Sequence, residues 1–228
     1  MTAKEKKYIN PLVIAITGGM GCGQSTVARF FQKWGARVIN ADLVARQVVN
    51  QDPEVRKELE RAFGKHIFYR NGRLNRKLLA RIVFQDESKT RRLNRIVHPR
   101  MVSRVIDEIE KAREEGKYPI IAIDAALIYE LNLEHMFDYV VVVSSRMSHR
   151  IQRIKERDKL SEKEIVYRIQ RQLPIEDKMK WGDFVIENNG TLEELEKKSR
   201  AVFRKLLEIQ RRQEQKSRRE FARSAAAE

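Results

Sequence analysis

The stretch that most constrains this chain is Gly18-Gly19-Met20-Gly21-Cys22-Gly23-Gln24-Ser25-Thr26. An apolar run precedes it at residues 12–17 (LVIAIT), and Val27, Phe30, Phe31 and Trp34 follow it at helical spacing. Buried strand, glycine turn and helix, in that order, are what a phosphate-binding loop requires. Glycines let the main chain wrap closely and aim its N–H groups at phosphate oxygens. The helix start adds the positive end of the peptide dipole. Ser25 offers a hydroxyl to Mg²⁺. Gln24, however, stands where such loops carry lysine. Its amide donates without charge. A charge-assisted hydrogen bond is worth ~1.5–3 kcal/mol, so its loss predicts a rate ~10- to 200-fold lower. A ligand-free strand-to-helix turn is the bland alternative, and the flanking strand and helix favour nucleotide over it.

The same style of short apolar run recurs at residues 38–39, 120–123 (IIAI), 139–143 (YVVVV) and 184–186. These runs are continuous rather than alternating, as in parallel strands covered on both faces. Helical segments separate them, which predicts a βαβ, α/β architecture with five strands. Gly35 closes the first helix. Residues 54–115 read as helical with one clear turn at Asn71-Gly72, and residues 145–180 as helical and basic. Ser161 with Glu164, and Thr191 with Glu194, have capping-box spacing. Leu192, Leu195, Val202, Phe203, Leu206 and Ile209 give the last helix a broad apolar face that fits packing on the sheet. Past residue 210 that spacing fades, predicting a charged, frayed end.

The chain has 228 residues and a net charge of +15, of which residues 1–7 hold +2 and residues 211–228 hold +3. The body is therefore basic in its own right, and its partner is anionic, either a polyphosphate or a nucleic acid. No apolar run reaches the ~20 residues of a membrane helix. One cysteine, Cys22, excludes an internal disulfide. A charged start and no leader-like run predict a cytoplasmic protein.

Arg146, Arg150, Arg153 and Arg157 fall at i, i+4, i+7 and i+11. That spacing puts four guanidinium groups on one helical face beside Met147, Ile151 and Ile154. They either replace the loop lysine's charge or form a solvated or RNA-facing surface. Asp42 follows the second strand at the edge where α/β sheets bind ligands, fit to take a proton or to cap a helix. Asp124 follows IIAI, as a Mg²⁺-steadying aspartate does beside such loops, and is otherwise a cap. His98-Pro99 marks a helix boundary. Cys22 reads as a small residue in a tight loop rather than a reactive thiol.

Seven segments in order (AITGGMGCGQST, VINADLVAR, GRLNRKLLARIVF with IVHP, IDAALIYE, RIKERD, RIQRQ and DFVIENNG) resemble the dephospho-coenzyme A kinase family over about residues 12–208. The resemblance implies a P-loop kinase fold: a five-stranded parallel sheet flanked by helices, with a helical substrate-binding subdomain and a lid. It implies a kinase-like domain at 9–210, the subdomain at 54–115, the lid at 145–180, and charged flexible ends at 1–8 and 211–228. The implied reaction is ATP- and Mg²⁺-dependent phosphorylation of the ribose 3′-hydroxyl of dephospho-coenzyme A. Asp42 takes the general-base position. Gly19, Gly21, Cys22, Gly23, Gln24, Ser25 and Thr26 take the ATP loop, with Ser25 and Asp124 toward the metal. Arg153 is carried over as catalytic and Arg157 as nucleotide-binding, both at basic lid positions. Asn189 falls near adenine, and Arg76, His98 and Glu130 match motif residues. The departures are Gln24 for lysine, Asn40 and Asn75 for aspartates, and Ala126 for proline. They leave open a nucleotide binder without catalysis. The basic charge leaves open a nucleic-acid module, against which the absence of interleaved aromatics argues. Oligomeric state is not encoded in any of these features.

Overall fold

All seven residues of β1 (Leu12–Gly18) are buried, as an apolar run flanked by glycines predicts. The computed structural model describes residues 10–84 and 86–225. After β1 come α1 (Gln24–Lys33), β2 (Arg37–Asn40), α2 (Ala41–Gln51), α3 (Pro53–Phe63), α4 (Arg76–Phe84) and α5 (Glu87–Glu115). There follow β3 (Ile120–Asp124), β4 (Tyr139–Ser144), α6 (Met147–Asp158), α7 (Glu162–Gln170), α8 (Ile175–Trp181), β5 (Phe184–Glu187) and α9 (Leu192–Ala225). The five strands form one parallel sheet in the order β2-β3-β1-β4-β5, flanked by helices. Ile16 pairs with Asp124 and Gly18 with Val143, so the glycine loop and Asp124 leave the sheet at the same edge. The first-made strand lies at its centre, where chain direction across the sheet switches and ligands are bound in such folds.

The core follows the apolar runs. Ile14, Ile16, Ile120, Ile121, Val141, Val142 and Val143 are all buried. The helix α9 lays Leu195, Phe203 and Leu206 inward against α1 and β5, with Phe31 and Phe203 edge to face at 5.0 Å. Leu192, expected on that face, is exposed instead, because it opens the first turn. Both capping boxes form: Ser161 and Glu164 at α7, Thr191 and Glu194 at α9.

The chain divides into two compact units. One comprises the chain up to Ile39 and from Ile109 onward; the other is Asn40–Glu108. The helical unit thus begins earlier than the expected 54–115 and ends inside α5. The predicted Asn71-Gly72 turn forms a hairpin there, where Gly72 has φ 80° and Phe68 bridges Leu74.

Two expectations are corrected. His98-Pro99 does not end a helix, since α5 continues through Pro99. Val97, Met101, Val105, Ile109 and Ala112 keep a buried stripe on both sides of it. That packing outweighs the ~3 kcal/mol an internal proline costs. The C-terminal end is not a frayed tail from residue 211, because α9 runs to Ala225. Glu214 is buried there, accepting from the Asn10 amide and paired with Arg218, while Asn10 donates to Ser217. The expected flexible start, 1–8, lies outside the described residues. Among the described residues no helix is long and apolar enough to cross a membrane.

Candidate active site

The loop between β1 and α1 is shaped by contacts only glycine permits. A Cβ on Gly18 would run into the carbonyl oxygen of Val143. Gly23 turns into α1 at φ 94°, a left-handed conformation that other residues adopt under strain. No side chain caps α1. The helix therefore presents its first N–H groups to the loop's interior, the arrangement that receives anions. Thr26 is tied back to the Gly23 carbonyl, and Ser25 is exposed beside it.

Gln24 does not point into solvent. Its Nε2 donates to Asp124 Oδ1 at 3.0 Å. Asp124 is 3 % exposed at the end of β3, so the two residues picked from sequence for opposite reasons are joined directly. Cys22 lies buried within the loop, and its amide donates to the Gly19 carbonyl. Burial pushes its thiol up from the usual range, against the pull of Arg150 and Arg153 and of the backbone N–H groups around it. A neutral thiol there is a packing residue, as the sequence suggests.

The four arginines at and along α6, with Arg146 just before its start, part company. Arg157 and Arg146 are exposed. Arg157 is bidentate to Asp158, at 2.7 and 2.8 Å. That hydrogen-bonded carboxylate raises the pKa of the guanidinium and is itself held below its ordinary range. Arg153 donates to Ser145 Oγ, to the carbonyl and Oδ1 of Asn188, and, at 3.5 Å, to the Gly21 carbonyl. Arg150 turns inward and donates from Nε to the Met20 carbonyl at 2.9 Å. Only Ile154 of the expected apolar stripe is fully buried, joining Ile165 and Ile169, with Ile151 and Met20 packed on that cluster. Met147 remains exposed.

The segment after β5 packs against the glycine loop. Asn188 donates from Nδ2 to the Cys22 carbonyl at 2.8 Å, and Asn189 accepts the Arg146 amide at 2.8 Å. Sequence reasoning missed three residues that hold this region. Gln172 Oε1 accepts the Met20 amide at 2.7 Å. Asn188 was legible only as part of the ENNG segment. Lys178, with 0 % exposure, pairs with Glu130 at 2.6 Å and donates to the Ala126 carbonyl, which also accepts from Thr17. Nothing in IEDKMKW marks its lysine as buried. Glu130, singled out only as a motif residue, thereby has a partner, and it also accepts the Leu173 amide.

The second unit holds Asp42, exposed in the first turn of α2. It is not the cap: Asn40 is, accepting from the Leu43 amide at 2.9 Å. Asn75 does the same for Leu78 ahead of α4, where Arg76 is the first helical residue. His98 is half-buried, and burial lowers its pKa, favouring a neutral imidazole.

A chain with this loop and sheet order matches the family model described as dephospho-CoA kinase over residues 12–194. The chain belongs to the dephospho-CoA kinase family. The dephospho-CoA kinase of Listeria innocua is 37 % identical over 184 residues, covering 81 % of this chain and 92 % of that one. The Bacillus licheniformis enzyme is 36 % identical over 185 residues, with the same coverage of each. A solved Thermus thermophilus protein superposes with a TM-score of 0.73 at 32 % identity, covering 86 % of this chain and 98 % of its own. A dephospho-CoA kinase from Campylobacter jejuni, at 23 % identity and a TM-score of 0.59, shares the fold. Membership in this family makes the chain a phosphotransferase of coenzyme A biosynthesis with a P-loop fold.

Proposed function

We propose that the chain transfers the γ-phosphoryl group of ATP to the ribose 3′-hydroxyl of dephospho-coenzyme A. The observation that carries this reading is the uncapped start of α1 behind a glycine loop, with Asp124 buried alongside. Gly19, Gly21, Cys22, Gly23, Gln24, Ser25 and Thr26 form the cradle for the phosphates. Asp42, exposed in a helix's first turn, is the general base that takes the hydroxyl proton. Asn189, anchored to the start of α6, borders the adenine. Arg157 binds nucleotide on exchanging its Asp158 partner for phosphate. Arg153, named from sequence as catalytic, has its donors engaged by Ser145, Asn188 and the loop, so we assign it to holding the loop rather than touching the transferred group. A cytoplasmic setting goes with this reading.

Mg²⁺ fits the residues present. It takes oxygen ligands, keeps several waters and leans on substrate phosphates. Ser25 and Asp124 supply a hydroxyl and a carboxylate of that kind. Among the described residues no group of three or more His, Cys, Asp or Glu stands together, so phosphate and water would complete the shell. Bound there, the ion supplies neutralisation of phosphate charge.

A second reading, a nucleotide binder that does not turn over, is favoured by one observation: Gln24 is uncharged and engaged with Asp124. A coupled assay of the full chain with ATP, Mg²⁺ and dephospho-coenzyme A separates the two. Turnover is expected, and the variant Asp42→Asn should lower kcat by ~10²- to 10⁴-fold, far beyond its small effect on thermal stability from the lost charge in the first turn of α2. ATP binding with no turnover above background would establish the second reading instead.

A further inference from the structure

Arg150 is a guanidinium in an unusual place. It is 4 % exposed, and no carboxylate pairs with it among the described residues. Among the described residues only its Nε has a protein acceptor, the Met20 carbonyl. Its other end lies over Gly19: a methyl carbon placed on that glycine would sit 2.6 Å from Arg150 Nη2 and 2.9 Å from Cζ. Cys22 is close by, but a buried neutral thiol is no counter-ion. The start of α1 adds positive potential rather than relieving it. A buried cation without a counter-charge is costly. Such an arrangement is stable when an anion completes it.

The peptide of Met20 is held from both sides by the lid. Gln172 takes its N–H, Arg150 takes its carbonyl, and its side chain packs on the Ile154, Ile165 and Ile169 cluster. The lid thereby fixes the loop at the point where the guanidinium is delivered. Arg153 and Arg157, the other lid arginines near nucleotide positions, already have acceptors on the protein.

We propose that Arg150 supplies, from behind Gly19, the fixed positive charge toward a bound polyphosphate that Gln24 does not carry. It is a positioning and charge-supplying residue, and the proposal rests on the nucleotide half of the function above. It makes the glutamine a relocation of charge within the site rather than a loss of it. Gly19 is then required for room, because any side chain there would displace the guanidinium.

Nucleotide binding by calorimetry tests this without any acceptor substrate. With the full chain and Mg²⁺, Arg150→Gln should weaken ATP binding ~10-fold or more, ADP binding less and AMP binding least. Its affinity for ATP should also fall less steeply with salt. Arg150→Lys should keep the ATP-over-AMP preference, and Gln24→Lys added to Arg150→Gln should restore it. An equal loss for all three nucleotides, with no rescue by Gln24→Lys, would reduce Arg150 to a structural brace and overturn the proposal. Gln24→Lys alone leaves Arg150 in place and guards against a variant that does not fold. It should raise ATP affinity less than ~3-fold, whereas a gain of ~10-fold or more would show a site lacking charge. Unmodified protein that binds ATP but never turns over would sink the kinase reading and leave this one standing; failure to bind ATP at all overturns both.

Discussion

The sheet unit and the helical unit use polar side chains in different ways. Around the loop, Arg150, Arg153, Gln172, Lys178 and Asn188 reach main-chain atoms far away in sequence, and most of them are buried. In Asn40–Glu108 most of the polar pairs are local, with Arg100 to Asp52 at 4.0 Å and Arg56 to the Gly72 carbonyl at 3.0 Å as longer links. Arg56 meets Glu60, Lys57 meets Glu54 and Arg91 meets Glu87 within a turn, and Asn40, Asp52 and Asn75 cap the helices they precede. The family departures divide along the same line. Asparagine for aspartate at 40 and 75 keeps the oxygen that a cap needs, so it changes little. Glutamine for lysine at 24 falls among shared, buried groups, where neighbours must absorb the change.

Substitutions that break shared contacts should therefore cost far more than those that break local ones. The largest effect is expected at Lys178. Lys178→Met strands Glu130, whose Oε2 is already buried without a partner, and should lower unfolding free energy by ~3 kcal/mol or more in urea titration. Adding Glu130→Leu should recover most of it. A loss under ~1 kcal/mol for the single variant would erase the contrast between the units. Next come the caps: Asn40→Ala and Asn75→Ala should each cost ~1 kcal/mol, while aspartate at either position should match or slightly exceed the natural stability. The smallest change is expected from Arg91→Ala, which removes an exposed pair one turn long and should shift stability by less than ~0.5 kcal/mol. A cap variant as damaging as Lys178→Met would mean that the helical unit, too, depends on groups shared over long distances.

The same division decides what could be read from the sequence. The strands, the glycine loop and both capping boxes obey local rules, and each stands where its spacing puts it. Asp124 was legible because an apolar run ending in aspartate is itself a local pattern. The bond between Gln24 and Asp124 spans 100 positions, and the one between Met20 and Gln172 spans 152. Neither leaves a periodic trace. Lys178 sits in a short charged helix that reads as surface, and only the packed sheet shows it to be enclosed. Proline at 99 and the charged residues after 210 mislead for the converse reason: local propensity argues for a break, and tertiary contacts with a buried stripe and with Asn10 override it.

The strand order has a consequence for how the molecule is made. β1 is the earliest strand to leave the ribosome, yet its two neighbours, β3 and β4, begin only at Ile120 and Tyr139. From Gly18 until β3 begins at Ile120, a hydrophobic ribbon followed by an unsupported glycine turn waits with both hydrogen-bonding flanks open, and such flanks invite pairing between chains. Nascent chains stalled before β3 should thus be the form of this protein most dependent on chaperones.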